Sequence, residues 1–220
     1  MGFHNRRAAG QELGRRLKEW AAGGELPHLL VLALPRGGVP VAAEVARALS
    51  APLDVLVARK IGLPGRPETG IGVIVGDDPP LFDQRALDML GLSEDRLVQD
   101  VAREREELKR RELLYRGDRP MPDVKDRAVV VVDDGLATGA TARAALRHLR
   151  RLEPARLILA IPVCPPESAA EMSSEADDVV CLLQPSDFQA VGLWYENFEQ
   201  VSDDEVIGTL NEHRTPTHTP

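Results

Sequence analysis

Two adjacent carboxylates, Asp133 and Asp134, end a run of aliphatic residues that is typical of a buried strand (AVVVVDD, 128–134). Taking two neighbouring acids out of water costs desolvation and mutual repulsion, unless sugar hydroxyls, a cation or solvent compensate them. The pair therefore predicts a site for hydroxyl groups or for a cation at the end of this strand.

A loop of small residues leads from the acidic pair into a helical pattern. It consists of Ala137, Thr138, Gly139, Ala140 and Thr141. Small residues let backbone N–H groups approach an anion, the helix N-terminus contributes its dipole, and the threonines add hydroxyl donors. Carboxylates for a diol beside a cradle for a phosphate predict a ribose 5-phosphate site. The alternative is an ordinary strand-to-helix turn in which Thr141 is the N-cap.

A second strand-to-helix turn, PRGG at 35–38, contains Arg36, Gly37 and Gly38. The glycines expose backbone N–H groups and Arg36 supplies a positive charge, so the segment suits a phosphate group. The alternative is structural, because a tight turn between a strand and a helix needs glycine in any case.

A dibasic pair, Arg59 and Lys60, lies at the end of the predicted strand 54–60, before a loop at 62–70 that is rich in glycine and proline. These cations suit a departing pyrophosphate, and a mobile loop could close over the site and exclude water. The alternative is a charge pair at the sheet edge, near Glu68.

The elements that position these residues follow an α/β pattern. Apolar runs predict strands at 28–34, 54–60, 71–76, 128–134, 155–163 and 178–185, and helical spacing predicts helices at 5–22, 39–49, 93–115, 141–152 and 167–176. Strands that alternate with helices indicate a Rossmann-like parallel sheet flanked by helices, whose ligands bind at the carboxyl ends of the strands. The helix at 93–115 has so many Glu and Arg residues that a solvated face is its simplest interpretation.

The overall composition excludes several classes of protein. The 220 residues fit a single domain over 1–210 followed by a flexible tail at 211–220, and the net charge of −8 argues against a nucleic-acid partner. No apolar run reaches membrane-spanning length and the N-terminus is not signal-like, so we expect no membrane partner and a cytoplasmic location. Cys164 and Cys181 have neither metal-ligand nor disulfide-framework spacing, so we expect buried, reduced thiols.

The segment VVVVDDGLATGAT (129–141) resembles the phosphoribosyl pyrophosphate signature of type I phosphoribosyltransferases, in which four apolar residues and two acids precede a TG-x-T loop. PRGG (35–38) resembles the pyrophosphate-binding loop of xanthine-type enzymes, and ARKIGLPG (58–65) resembles a stretch of adenine-type enzymes. Together they resemble bacterial phosphoribosyltransferases whose acceptor is not evident from the sequence. The resemblance implies the type I phosphoribosyltransferase fold with a small hood.

The resemblance also implies roles for individual residues. Asp133 and Asp134 would hold the ribose 2′- and 3′-hydroxyls, and would hold Mg²⁺ directly, through water or through those hydroxyls. Residues 137–141 would bind the 5′-phosphate, and residues 36–38 would bind pyrophosphate. The dibasic pair would stabilise pyrophosphate as it leaves.

The resemblance further implies a hood over the nucleobase, which we expect the terminal segments to form, at about 1–24 and 186–210. Trp194, together with Tyr195 and Phe198, is expected to stack on the base. Core packing and a homodimer contact are the alternative roles for these rings.

The implied activity is transfer of ribose 5-phosphate from phosphoribosyl pyrophosphate to a small nitrogenous base, with a purine-like acceptor favoured, pyrophosphate released and Mg²⁺ as cofactor. Ala137 stands where 6-oxopurine enzymes carry an aspartate, so the acceptor stays open. The alternative function is a non-catalytic regulatory protein of the same fold that senses phosphoribosyl pyrophosphate or a nucleotide. A receiver-like domain fits poorly because TGAT follows the acids at once, and the sequence has no GxxxxGK[ST] motif for a P-loop ATPase.

Overall fold

The computed structural model describes residues 2–23 and 26–213, apart from the side chains of Pro67 and Glu68. The helices are α1 (Arg6–Ala21), α2 (Gly38–Leu49), α3 (Gln84–Leu90), α4 (Val98–Arg116), α5 (Ala140–Arg150), α6 (Pro166–Met172) and α7 (Asp203–Glu212). The strands are β1 (Leu30–Ala33), β2 (Leu53–Val55), β3 (Ala58–Leu63), β4 (Arg66–Val75), β5 (Leu81–Phe82), β6 (Ala128–Val132), β7 (Arg156–Val163) and β8 (Asp178–Leu183). Within these residues, no helix is both long enough and apolar enough to cross a membrane.

The main sheet has the strand order β2-β1-β6-β7-β8, and all of its pairings are parallel. All five residues of β6 are buried, because helices cover both faces of the sheet at its centre. The predicted parallel sheet flanked by helices is therefore confirmed. Because β1 and β6 are neighbours, the turn after β1 and the acidic loop after β6 leave the same sheet edge side by side.

The core has two halves because successive side chains of a strand point to opposite faces of the sheet. On one face, Val130 and Val132 of β6 pack with Val41 and Val45 of α2. On the other face, the alternate residues of β6 pack with the apolar side of α5, including Leu146. These helices are the ones that begin at the PRGG turn and at the small-residue loop, so core packing fixes both loops.

The predicted strand 54–60 is wrong as a single element. The chain leaves the main sheet after β2 and enters a second sheet, antiparallel with the order β3-β4-β5, at Ala58. The predicted loop at 62–70 is also wrong, since most of it forms the β3–β4 hairpin. Pro64 and Gly65 make its turn between the paired residues Leu63 and Arg66, and Gly65 has φ +79°. Proline followed by a glycine of positive φ satisfies the backbone of a tight turn, so the strands continue almost to its tip.

The charged helix α4 begins after a short 3₁₀ turn at Glu94–Leu97 and packs along β3. The predicted solvated face describes only part of it, because Leu108, Tyr115 and Arg116 are buried. The Nε atom of Arg116 donates to Asp54 Oδ1 at 2.9 Å, and both side chains are at most 8% exposed. This buried ion pair joins the end of α4 to the edge strand of the main sheet.

Side-chain caps fix the terminal helices. Asn5 caps α1 by accepting from the backbone N–H of Ala8 at 2.9 Å. Ser202 begins α7 with a capping box. The predicted tail at 211–220 includes the last two residues of α7, and residues 214–220 lie outside the description.

Candidate functional site

The acidic pair follows β6 directly and is half-buried at the carboxyl edge of the main sheet. The backbone N–H of Asp134 donates to Asp133 Oδ1 at 2.8 Å. Burial raises the pKa of Asp133 well above its usual range, and the neighbouring charge of Asp134 adds to that shift. Burial also raises the pKa of Asp134. The pair therefore favours a ligand that donates hydrogen bonds or carries positive charge.

Arg6, from the first turn of α1, contacts the acidic pair. Its Nε donates to Asp134 Oδ2 at 2.7 Å and its Nη1 donates to the carbonyl of Glu199 at 2.6 Å. The guanidinium lies 3.8 Å from the centre of the Phe198 ring, and the Tyr195 hydroxyl donates to the carbonyl of Asp134 at 2.5 Å. Arg6 could not be predicted as a site residue, because nothing in the local pattern connects residues 128 positions apart.

The PRGG turn packs directly onto the acidic pair. A Cβ atom on Gly37 would lie 2.0 Å from Asp134 Oδ2, and one on Gly38 would lie 2.7 Å from the carbonyl of Val132. The peptide bond between Pro35 and Arg36 is cis. The two glycines are thus needed for the close approach of the two loops. This close approach is compatible with a phosphate-binding turn and with a purely structural need for glycine.

The loop at 137–141 leads into α5 as predicted. Gly139, with φ +70°, is the N-cap of α5 and no side chain caps the helix, so the alternative of Thr141 as N-cap is wrong. Ser168 donates to the carbonyl of Ala137 at 2.8 Å and holds the loop from the side of α6. Thr138 and Ala140 are both exposed to solvent, and Gly139 between them is buried. The first N–H groups of α5 are therefore left for an anion.

A cavity of about 880 Å³ brings several predicted site residues to a common space. The main sheet contributes the end of β1 and the acidic loop, the second sheet contributes β3 and its turn, and α4 closes a third side. The charged and hydroxyl residues of its wall are Arg59, Lys60, Asp100, Arg103, Glu104, Arg111, Asp133 and Thr141. Thr141 of the small-residue loop and the predicted dibasic pair thus share one cavity, whereas residues 36–38 and 137–140 are not among its lining residues. The contribution of α4 was not predicted.

The dibasic pair lies on β3 within this cavity. Arg59 makes a two-point contact with Glu104 of α4, with its Nη2 and Nε at 2.6 and 3.0 Å from Oε2. Lys60 is exposed, and no carboxylate of the described side chains lies within 4.0 Å of its Nζ. The side chain of Glu68, the alternative partner, lies outside the description. Lys60 is therefore the more available cation for a ligand.

The Arg36 side chain reaches the start of α7 and is not among the residues that line the cavity. Its Nη1 lies 3.8 Å from Asp203 Oδ1, and the same oxygen accepts from the hydroxyl of Tyr115 at 2.5 Å. Burial and this hydrogen bond raise the pKa of Tyr115 to about 12, so the hydroxyl keeps its proton as the donor. The PRGG turn is thereby tied to α4 and α7.

Trp194 is not among the residues that line the cavity. It packs beside Phe3, and the N–H of Phe3 donates to its carbonyl at 2.7 Å. The rings of Tyr195 and Phe198 stack with their centres 5.0 Å apart, next to Arg6 and the acidic pair. The two predicted hood segments thus meet at the site, but Tyr195 and Phe198 are nearer to the acidic pair's contacts than the predicted Trp194.

Few side chains of the site are available as ligands for a metal ion. In the described residues, no three His, Cys, Asp or Glu side chains are grouped so that they could hold a metal ion. Asp133 and Asp134 alone fit Mg²⁺ that takes its other ligands from phosphate oxygens and water, which is the coordination this ion prefers. Cys164 and Cys181 are free thiols whose Sγ atoms lie 3.2 Å apart.

Comparisons with known proteins agree with this geometry. A family model described as "Phosphoribosyl transferase domain" matches residues 6–197. Two Mycobacterium tuberculosis proteins, named "Putative phosphoribosyl transferase MT0597" and "Putative phosphoribosyl transferase Rv0571c", are 42% identical to the chain over 215 residues. The match covers 96% of this chain and 47% of theirs, so the chain spans about half the length of these curated relatives.

Solved structures show the same similarity. The crystal structure of the protein TT1426 from Thermus thermophilus is 40% identical, with a TM-score of 0.79 over 98% of this chain and 100% of that chain. A hypothetical protein from Neisseria gonorrhoeae with bound ppGpp has a TM-score of 0.54 at 13% identity, over 97% of this chain and 99% of that chain. The second similarity concerns the fold alone.

Proposed function

The chain belongs to the phosphoribosyl transferase domain family, and from that premise we propose that it transfers ribose 5-phosphate from phosphoribosyl pyrophosphate to a nitrogenous base and releases pyrophosphate. One observation carries the proposal. The cavity that contains Asp133 of the acidic pair and Thr141 of the small-residue loop also contains Lys60 and Arg59. A sugar diol, a phosphate and a second, separate anion can therefore bind side by side.

The cavity and its loops divide the donor substrate into three parts. Asp133 and Asp134 accept hydrogen bonds from the 2′- and 3′-hydroxyls of the ribose, which relieves the cost of their burial. The N–H groups at the start of α5, with Thr138 and Thr141, hold the 5′-phosphate. The backbone of the PRGG turn and the side chain of Lys60 hold the pyrophosphate.

Transfer breaks the bond between C1′ and a pyrophosphate oxygen and forms a bond between C1′ and a nitrogen of the acceptor. Positive charge develops on the sugar as negative charge develops on pyrophosphate, as in other displacements at a glycosidic carbon. In this proposal, the acidic pair contacts the sugar, and Lys60 and Arg59 contact the leaving group. Fixed charges of opposite sign on the two sides stabilise this separation.

Mg²⁺ is proposed as the cofactor, and when bound with pyrophosphate it neutralises part of the leaving group's charge. Asp133 and Asp134 are the residues that would hold it, together with substrate oxygens and water. Asp134 already accepts from Arg6, so Asp133 is the more available ligand.

A purine-like base is proposed as the acceptor. The Phe198 ring contacts Arg6 and Tyr195 and is 36% exposed, so its exposed part offers a flat acceptor an apolar contact close to the acidic pair. Ala137 has no carboxylate that could bind the exocyclic groups of a base. The panel of bases in the assay therefore identifies the acceptor.

The test is release of pyrophosphate from phosphoribosyl pyrophosphate and Mg²⁺ with a panel of purine and pyrimidine bases. We expect release that depends on one base, and its loss in the double variant Asp133→Asn plus Asp134→Asn. Asp118→Asn, an exposed acid outside the cavity, is the matched control and should keep the activity. Tight binding of phosphoribosyl pyrophosphate with no turnover of any base would favour the non-catalytic sensor. Unchanged binding in the double variant would contradict the site assignment.

A further inference from the structure

Helix α4 contributes an arginine to the cavity that the proposed function does not use. Arg111 lines the same cavity as Lys60, Asp133 and Thr141, and its side chain is 21% exposed. Nothing in the sequence marks this position, because Arg111 lies in a run of alternating acidic and basic residues. Only the packing of α4 along β3 turns one side of that run toward the cavity.

The charge of Arg111 is only partly neutralised. Its Nε donates to Glu107 Oε1 at 2.8 Å, and the same carboxylate accepts from Arg110 at 2.7 and 3.0 Å. The hydrogen bonds from Arg110, followed by those from Arg111, lower the pKa of Glu107 to about 2. One carboxylate therefore faces two guanidinium groups, and the cluster keeps a net positive charge at neutral pH.

The terminal nitrogens of Arg111 are available to a ligand. Its one side-chain hydrogen bond among the described residues uses Nε, so both Nη groups keep their donors. By contrast, Arg103 is paired with Asp100 at 2.6 Å, and Arg59 is paired with Glu104 at 2.6 Å. Within the part of the chain that the structure describes, Lys60 and Arg111 are thus the cavity cations whose positive charge is not fully neutralised by a carboxylate.

The position of Arg111 places it near the PRGG turn as well. Burial and Asp203 raise the pKa of Tyr115, and the charges of Arg111 and Arg36 oppose that rise. Both arginines therefore lie close to the Tyr115 hydroxyl, which joins α4 to the start of α7.

We propose that Arg111 is a further binding residue of this cavity, whose free Nη groups hold the diphosphate of the donor substrate together with Lys60. The inference rests on the proposed function, since it assigns part of the same donor site. A planar guanidinium with two free nitrogens matches the spacing of phosphate oxygens and makes charge-assisted hydrogen bonds to them. Helix α4 then forms the wall of the pyrophosphate subsite.

The experiment compares Arg111→Gln with Arg110→Gln by calorimetry in the presence of Mg²⁺. The two residues are neighbours on α4 and share Glu107, but Arg110 does not line the cavity. We expect Arg111→Gln to weaken the binding of inorganic pyrophosphate about ten- to hundredfold, because hydrogen bonds to charged groups are lost. Arg110→Gln should change affinity by less than about threefold, as for an exposed charge.

Ribose 5-phosphate is the second probe, because it has the sugar and the 5′-phosphate but no diphosphate. Its affinity should be the same in the wild type and in Arg111→Gln, whereas a general loss of structure would weaken both probes. Arg111→Lys should recover part of the pyrophosphate affinity, since it keeps the charge without the planar pair of donors. A Tm measurement on each variant identifies any that does not fold, and the lysine variant then carries the test.

Each result decides the inference. Equal weakening by Arg110→Gln and Arg111→Gln would overturn it in favour of a diffuse positive field, and so would unchanged pyrophosphate affinity in Arg111→Gln. A wild-type protein that binds pyrophosphate through Arg111 but transfers ribose 5-phosphate to no base would support the binding role while contradicting the proposed transfer. A wild-type protein that binds neither probe would overturn both.

Discussion

Replacing Gly37 with alanine adds one methyl group at the contact between the PRGG turn and the acidic pair. Its backbone, φ −58° and ψ −34°, is open to any residue, so the substitution adds volume without backbone strain. The new Cβ would lie 2.0 Å from Asp134 Oδ2 and 2.7 Å from its Cγ. Nonbonded heavy atoms pack at about 3.5 Å, so the carboxylate and the turn must separate by about 1.5 Å.

The expected loss of stability and activity depends on the contacts that this separation disturbs. Asp134 Oδ2 is the atom that accepts from Arg6 at 2.7 Å, so the displacement stretches that ion pair. Overpacking of this kind costs about 1–3 kcal/mol in the free energy of unfolding. At about 2–4 °C per kcal/mol for a chain of this size, Tm falls by about 2–12 °C. A shift of about 1 Å or more in a binding group costs about 100-fold in transfer rate.

The assay measures the rate of the proposed transfer, the binding of phosphoribosyl pyrophosphate by calorimetry and Tm by thermal unfolding, for Gly37→Ala and for Gly208→Ala. Gly208 lies within α7, and a Cβ there has no neighbour within 4 Å. The control should gain about 0.5–1 kcal/mol from helix propensity and keep its affinity. Normal substrate affinity in Gly37→Ala would refute the reasoning that Asp134 holds the ribose against this turn.

Three further predictions concern titration and thiol chemistry. Asp133→Asn should be more stable than the wild type at pH 7 yet bind substrate less well. Burial raises the folded pKa of Asp133 above the unfolded value of about 3.9, so wild-type stability falls as pH rises from the unfolded pKa toward the folded one. Tm measured from about pH 4 to about pH 8 checks this, and an Asn variant less stable at pH 7 would contradict it. Glu107→Gln should lose stability above about pH 5, because the hydrogen bonds from Arg110 hold the folded pKa near 2, below the unfolded value of about 4.3. The difference from wild type should shrink as pH falls from about 4.5 toward about 2, and a constant difference would argue against it. Hydrogen peroxide should oxidise Cys164 and Cys181 to a disulfide, with both thiol hydrogens leaving as water, since their Sγ atoms are 3.2 Å apart. Intact mass and thiol counts follow the reaction, and the Cys181→Ser variant should form no disulfide within the chain.

The central strand and its loop could be predicted from the sequence, because both are local. Five consecutive apolar residues in β6 indicate a strand that is buried on both faces of a sheet. The small residues after Asp134 lead directly into a helical pattern, which became α5. The strand boundary between β2 and β3 could not be predicted, since residues 55–58 are uniformly apolar up to the dibasic pair. Which sheet each half joins depends on the β4 strand that pairs with Ala58 and Arg59.

The same distinction between local and long-range features applies to the residues of the site. Side chains on one short segment, such as Asp133, Asp134 and residues 137–141, could be predicted to lie together from their types and spacing, because the backbone alone sets their relative positions. Arg6 and Arg111 come from helices far away in the chain, and only the packing of α1 and α4 against the sheets brings them to the acidic pair and to the cavity. The sequence by itself determined the parallel sheet and the small-residue loop that leads into α5. The tertiary structure decided which of the many arginines reach the acidic pair and the cavity, since long-range packing leaves no periodic trace in the sequence.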